Sequence, residues 1–198
     1  PFSYAVPYNY FPTRIEVWTP TGAVAKSVAT RPLLERVPWG GDAVQAGPRN
    51  PSWRSDAAAT LTWLEALDGG DPARAAAKRD RLVALDAPFT GTARTLLETE
   101  WRARGVTWAR ANLAIAREGN SRQRKARVWT FDPSGATAPR MLWERGTEDR
   151  YADPGTFMTT RDARGQSVLR LTPDGRAAFL VGTGASAEGD RPFLDRFD

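Results

Sequence analysis

The side chains able to do chemistry in these 198 residues are carboxylates, arginines, tryptophans and hydroxyls, because the chain holds no histidine and no cysteine. A Ser-His-Asp hydrolase, a papain-like peptidase and most zinc enzymes need an imidazole or a thiolate as proton shuttle, nucleophile or metal ligand. This chain alone can run none of them. Asp68-Gly69-Gly70-Asp71 sets two carboxylates close together, as a hard cation requires, but such a cation takes about six or more oxygens. Only two are in sight, so a glycine-rich hairpin loop is the favoured reading. Glu148-Asp149 with Asp153 reads the same way, as an acidic loop joining two repeated units. Gly184-Ala185-Ser186-Ala187-Glu188 begins like the Gly-x-Ser-x-Gly nucleophile elbow but ends in glutamate, which makes Ser186 a loop serine. No catalytic residue and no metal ligand is assigned, and no cofactor is expected.

The cations come next. A formal net charge of +5 and a pI near 10.1 arise from 25 Arg and 3 Lys against 23 acidic residues. The densest run, Arg122-Gln123-Arg124-Lys125-Ala126-Arg127, has four cations to offer phosphates, yet alternation along a strand would split them between two faces. A solvated face is favoured, and no nucleic-acid partner is expected. Trp53, Trp63, Trp108 and Trp129 would suit an aromatic platform for sugars or bases, but they recur at matched positions of a repeat, which favours packing between repeated units.

The elements that must position these residues read as strands. Ile15-Glu16-Val17-Trp18, Leu61-Thr62-Trp63-Leu64, Arg81-Leu82-Val83-Ala84-Leu85, Leu113-Ala114-Ile115-Ala116, Val128-Trp129-Thr130-Phe131 and Ala178-Phe179-Leu180-Val181 are short and bounded by Gly, Pro, Asp or Asn. Asp71-Pro72-Ala73-Arg74-Ala75-Ala76-Ala77 has a cap residue and a proline at the first helical position but no apolar stripe, so it predicts a single turn on a loop. Three turns are nearly the same: Thr19-Pro20-Thr21-Gly22, Asp132-Pro133-Ser134-Gly135 and Thr172-Pro173-Asp174-Gly175. In each, Pro presets one turn dihedral and Gly accepts the positive one. Two of them follow a Val-Trp strand, which marks a repeated unit.

Aligned on these landmarks, Trp53 opens one copy, with strands near 60–67, 80–86 and 92–98, and Trp108 opens the next, with strands near 112–117, 125–131 and 139–144. Strands near 3–8, 14–19 and 23–29 precede them, and strands near 157–161, 167–172 with its continuation to 182, and 192–197 follow. Four antiparallel strands in about 45–50 residues is the size of a β-propeller blade. The expected fold class is therefore all-β, a partial β-propeller of about three and a half four-stranded antiparallel blades, with pieces roughly at 1–30, 50–100, 105–145 and 156–198. A β-sandwich or a small closed four-bladed ring is the rival. An open arc leaves strand edges unpaired, so the chain is expected to be a piece of a larger protein, cut at both ends. No apolar run reaches the 18 or so residues of a membrane span, and no leader pattern opens the sequence. Absence of cysteine suits reducing and oxidising compartments alike.

Several stretches resemble the propeller of the prolyl oligopeptidase family of serine peptidases, and within it the glutamyl endopeptidase branch. They are Pro1-Phe2-Ser3-Tyr4 with Pro12 to Trp18, Gly47-Pro48-Arg49 with Trp53-Arg54, Thr60 to Asp71 with Arg79-Asp80, Glu148 to Gly155, and Gly182 to Ser186 with Arg191 to Asp195. The most specific is Glu65 to Asp71, a strand followed by an acidic glycine turn. The resemblance implies a parent with two domains, in which a propeller caps a C-terminal α/β-hydrolase domain bearing the catalytic triad; that domain is absent from this chain. The implied partners are the hydrolase domain and peptide substrates, and the implied role is to sieve peptides from folded proteins. A parent that cleaves after glutamate needs a cation for the substrate carboxylate, which arginine's planar fork suits. Arg49, Arg54, Arg124 and Arg161 are the arginines considered for this, with surface ion pairing the default for each. The rival function is a stand-alone propeller-type binding module for a protein or polysaccharide.

Overall fold

The computed structural model describes residues 4–36 and 40–198, and apart from a 3-10 turn at Tyr8–Tyr10 their regular structure is antiparallel strand, as the alternating pattern requires. The chain divides into two compact units, Pro1–Trp53 with Ala59–Trp101, and Arg54–Ala58 with Arg102–Asp198.

In the first unit, β1 (Thr13–Trp18) and β2 (Val24–Arg31) form a hairpin. β3 (Arg49–Trp53), β4 (Thr60–Ala66), β5 (Asp80–Asp86) and β6 (Arg94–Thr99) form a meander in which each strand pairs with the next. Leu61 lies opposite Leu85 and Trp63 opposite Val83, so the period of two puts all four on one face. There they join Val17 and Phe89 in a buried cluster. Thr62, Leu64, Leu82 and Ala84 occupy the other face and are buried too. Burial of both faces is why these two strands read as nearly continuous apolar runs.

In the second unit, β7 (Arg102–Arg110), β8 (Leu113–Asn120), β9 (Lys125–Phe131) and β10 (Arg140–Gly146) repeat the four-stranded meander. β11 (Thr156–Phe157), β14 (Ala178–Gly182) and β15 (Phe193–Phe197) form a three-stranded sheet in the order β11-β14-β15, and β12 (Thr159–Arg161) pairs with β13 (Ser167–Leu169). The core of this unit gathers Ile115, Phe157, Leu169, Ala178 and Leu180.

All three Pro-x-Gly turns close as expected. The amide of Gly22 donates to Thr19 O, that of Gly135 to Asp132 O and that of Gly175 to Thr172 O at 2.8–3.0 Å, and each glycine has φ between 69° and 85°. Asp71 starts a single turn, its Oδ1 accepting from the Ala73 amide and its carbonyl from the Arg74 amide. Three expectations change. The strand expected near 167–172 with its continuation to 182 is two, β13 ending at Leu169 and β14 starting at Ala178 in a different sheet, because the Thr172–Gly175 turn falls between them. The strand expected near 3–8 is not one: residues 4–6 are bends, the 3-10 turn begins at Tyr8, and Ser3 lies outside the described residues, as do Pro1 and Phe2 of the opening motif. Pro7 and the lack of alternation explain this. The strand expected near 157–161 is two, because Met158 leaves the β11 edge: its amide donates to Phe179 O while its carbonyl accepts from Arg170. The sheets are therefore two of four strands, one of three and two of two.

Candidate functional site

At the end of the second unit where the β8–β9 hairpin turns, a cleft of about 450 Å³ opens. Its base is Arg117 on β8, and the register explains the room above it. The residue across on β7 is Gly105 and the next on the same face of β8 is Gly119, so neither neighbour projects a side chain over the guanidinium. Across on β9 stands Val128, and beyond it on β10 stands Trp143. Trp143 stacks on Phe157 at 5.5 Å between ring centres with 27° between planes, and Phe197 meets both rings edge-on. The cleft thus has an apolar wall continuous with the core and a cationic base.

Six cations line it: Arg104, Arg117, Arg124, Lys125, Arg127 and Arg145. Most of that charge is matched. Arg124 pairs with Glu148 at 3.0 Å, Lys125 with Glu144 at 2.6 Å, and Arg145 with Asp153 at 2.9 Å. Arg127 pairs with Glu144 at 2.7 Å and approaches the buried Glu118 at 3.5 Å. Hydrogen bonds from Lys125 and then Arg127 hold the Glu144 carboxyl below the usual carboxylate range. Arg117 differs: its partner is the hydroxyl of Thr107 at 3.3 Å, and no carboxylate pairs with it among the described residues. Burial lowers its affinity for the proton from the ordinary arginine value.

The acidic constellations prove to be structural fasteners. Asp68 is buried, its Oδ1 accepting from the Gly70 amide at 2.9 Å and its Oδ2 from Arg79 at 2.8 Å. Glu148 pairs with Arg124, Asp149 accepts from the Ala152 amide, and Asp153 accepts from the Gly155 amide and Arg145. Among the described residues no three of the acidic side chains gather as a metal site would need. Trp63 and Trp108 are buried and Trp53 is half exposed against Phe89. Trp129 donates from Nε1 to Glu118 at 2.9 Å. Within the basic run, Arg124 and Lys125 are on the cleft rim, and Lys125 and Arg127 share one face because both reach Glu144. Among the described residues no helix is long and apolar enough to cross a membrane.

Comparison with known proteins gives the relationship. The whole chain is 35% identical, over 205 aligned residues, to a protein of Arabidopsis thaliana named probable glutamyl endopeptidase, chloroplastic, and 36% identical over 204 to one of the same name from Oryza sativa subsp. japonica. The chain is homologous to one segment of these glutamyl endopeptidases. It spans about a fifth of their length, 21% and 22%. No family model matches the chain, and no solved structure does.

The arginines considered for a glutamyl substrate can now be placed against that relationship. Arg49 is buried and donates from Nη2 to Asp80 Oδ2 at 2.5 Å. Arg54 makes a two-pronged contact with Asp56 at 2.9 and 2.6 Å, its guanidinium 4.8 Å above the Trp108 ring. Arg161 is exposed and donates to Gly165 O at 2.7 Å. Of the four, Arg124 alone lines the cleft, and it is already paired. Arg117, which sequence reasoning passed over, is the arginine with the least satisfied charge in the cleft. Its signal was its place in a strand beside Gly119, legible only once the register put Gly105 opposite. Ser186 belongs to a tight turn, its amide and hydroxyl donating to Gly189 O at 3.1 and 2.7 Å.

Proposed function

We propose that this chain is a non-catalytic part of a β-propeller belonging to a glutamyl-endopeptidase-like serine peptidase of the prolyl oligopeptidase family. In this reading it caps a C-terminal α/β-hydrolase domain, its partner, and admits loose peptides while excluding folded proteins. The observation that carries the reading is the identity of 35–36% along the whole chain to about a fifth of proteins named glutamyl endopeptidase. Two consecutive four-stranded meanders, Arg49–Thr99 and Arg102–Gly146, support the propeller, because that is the repeat a blade requires. The chain holds no histidine, so the acyl-transfer machinery belongs elsewhere in the parent.

The test is hydrolysis by the product of the complete reading frame, assayed on glutamyl peptides and on a folded protein rich in surface glutamate. Cleavage of the peptides, blocked by a serine-directed inhibitor and absent for the folded substrate, is the expected result. Inhibitor-sensitive cleavage by the 198 residues alone would overturn the reading. So would a reading frame with neither Gly-x-Ser-x-Gly nor a later histidine. The cleft above Arg117 favours one rival, a stand-alone binding module, and that rival gains if the complete protein binds partners but cleaves nothing.

A further inference from the structure

The cleft in the second unit has a chemistry of its own. Arginine stays charged throughout the physiological range, so a half-buried guanidinium has lost part of its hydration whether or not it has found a partner. Among the described residues Arg117 has only the Thr107 hydroxyl, while each of Arg124, Lys125, Arg127 and Arg145 around it has a carboxylate. Glu144, Glu148 and Asp153 hold those four, which leaves Arg117 with a hydroxyl. One guanidinium without a carboxylate suits a single small anion and is too little for a polyphosphate backbone, which draws on many uncompensated cations. Trp143, Phe157 and Val128 line the same cleft, so its ligand has an apolar stem as well as a charge. A carboxylate on a short aliphatic stem meets both demands; inorganic phosphate or sulfate meets only one.

We propose that the cleft bounded by Arg117, Val128, Trp143 and Phe157 binds the side-chain carboxylate of an acidic peptide, with Arg117 as its anchor. Naming a peptide as the carrier rests on the peptidase reading above; the demand for a carboxylate with an apolar stem does not. The two prongs of the guanidinium take the carboxylate oxygens, and the methylenes lie along the Trp143 and Val128 wall. Gly105 sets no side chain across from the guanidinium.

The test is equilibrium binding to the product of the complete reading frame, with hydrolysis blocked by a serine-directed inhibitor. The probes are an acetylated, amidated glutamyl pentapeptide and its glutaminyl isostere. The glutamyl peptide is expected to bind about tenfold tighter or more, as a charge-assisted hydrogen bond implies. Arg117→Met should bring the two peptides to equal affinity, and Arg117→Lys should keep part of the difference. Thr107→Val, which removes the internal competitor and keeps the charge, should preserve it. Equal affinities in the unaltered protein would overturn the proposal even if the Arg117 variants fail to fold. An unchanged ratio in folded Arg117→Met would overturn it as well, as would displacement of the peptide by an equal concentration of sulfate. Hydrolysis without the affinity difference defeats this inference and leaves the peptidase reading standing; the difference without hydrolysis does the reverse.

Discussion

The two meanders, β3 to β6 and β7 to β10, share strand order and antiparallel pairing, and each buries charge, Arg49 and Asp80 in the first and Arg102 and Glu118 in the second, but the second also leaves Arg117 half open with a hydroxyl for a partner. In the first, Arg49 and Asp80 face each other with side chains 7% and 0% exposed, and the central strands β4 and β5 are buried along most of their length. In the second, Ala114, Ile115, Ala116 and Glu118 of β8 are sealed while Arg117 among them stands half open. One backbone plan thus serves as a closed scaffold or as a site, depending on whether a strand's cation has a carboxylate across from it. A charge sealed with its partner fixes structure, whereas a charge left with a hydroxyl is available to a ligand.

This contrast breaks most visibly at the sealed pair. Asp80→Ala leaves the Arg49 guanidinium buried without its carboxylate and should cost about 3 kcal/mol or more in urea unfolding. Arg117→Met, by comparison, removes a poorly compensated charge and should shift stability by less than about 1 kcal/mol. Equal losses from the two would erase the distinction. Phe157 belongs to both the core and the cleft wall, so Phe157→Ala should cost about 3 kcal/mol and also weaken acidic-peptide binding, measured in parallel by thermal melting and titration.

Glu144, the carboxylate that pairs with the cleft cations Lys125 and Arg127, makes the comparison pH-dependent. Its folded pKa is lowered by Lys125 and Arg127, so its contribution to stability is present above the ordinary glutamate value near 4.3 and fades as pH falls through the lower folded value. Urea midpoints of the native protein and of Glu144→Gln should therefore differ at neutral pH and converge in acid. The smallest effect is expected at Lys78–Glu100, an exposed pair of the first unit, where Lys78→Ala should change stability by no more than about 0.5 kcal/mol.

Much of the strand plan was legible in the sequence because alternation and Pro-x-Gly punctuation act locally. Leu61 to Leu64, Leu82 to Leu85 and Ala114 to Ala116 lie in strands for the reason their pattern gave. β3 was harder, since Asn50 and Pro51 interrupt it and its pairing with β4 shifts between Arg49 and Ser52. Its tryptophan, Trp53, ends the strand rather than opening it. The acidic glycine turn at Asp68 was legible as a loop because its paired glycines punctuate the strand. The cleft was illegible for a different reason. Arg117 is an ordinary strand residue until register sets Gly105 across from it and Arg124, Lys125, Arg127 and Arg145 are found paired with carboxylates. Which of 25 arginines lines a cleft without an acid is a property of pairing over distance, and single-sequence patterns do not carry it.

The scarcity of lysine has a practical consequence. Of the three primary amines on side chains, at Lys26, Lys78 and Lys125, the last is the one bordering the cleft. An acylating dye applied to the protein therefore has a natural attachment point a few ångströms from the proposed pocket, and occupancy there can be followed as shielding of one tryptic fragment without engineering any cysteine into the chain.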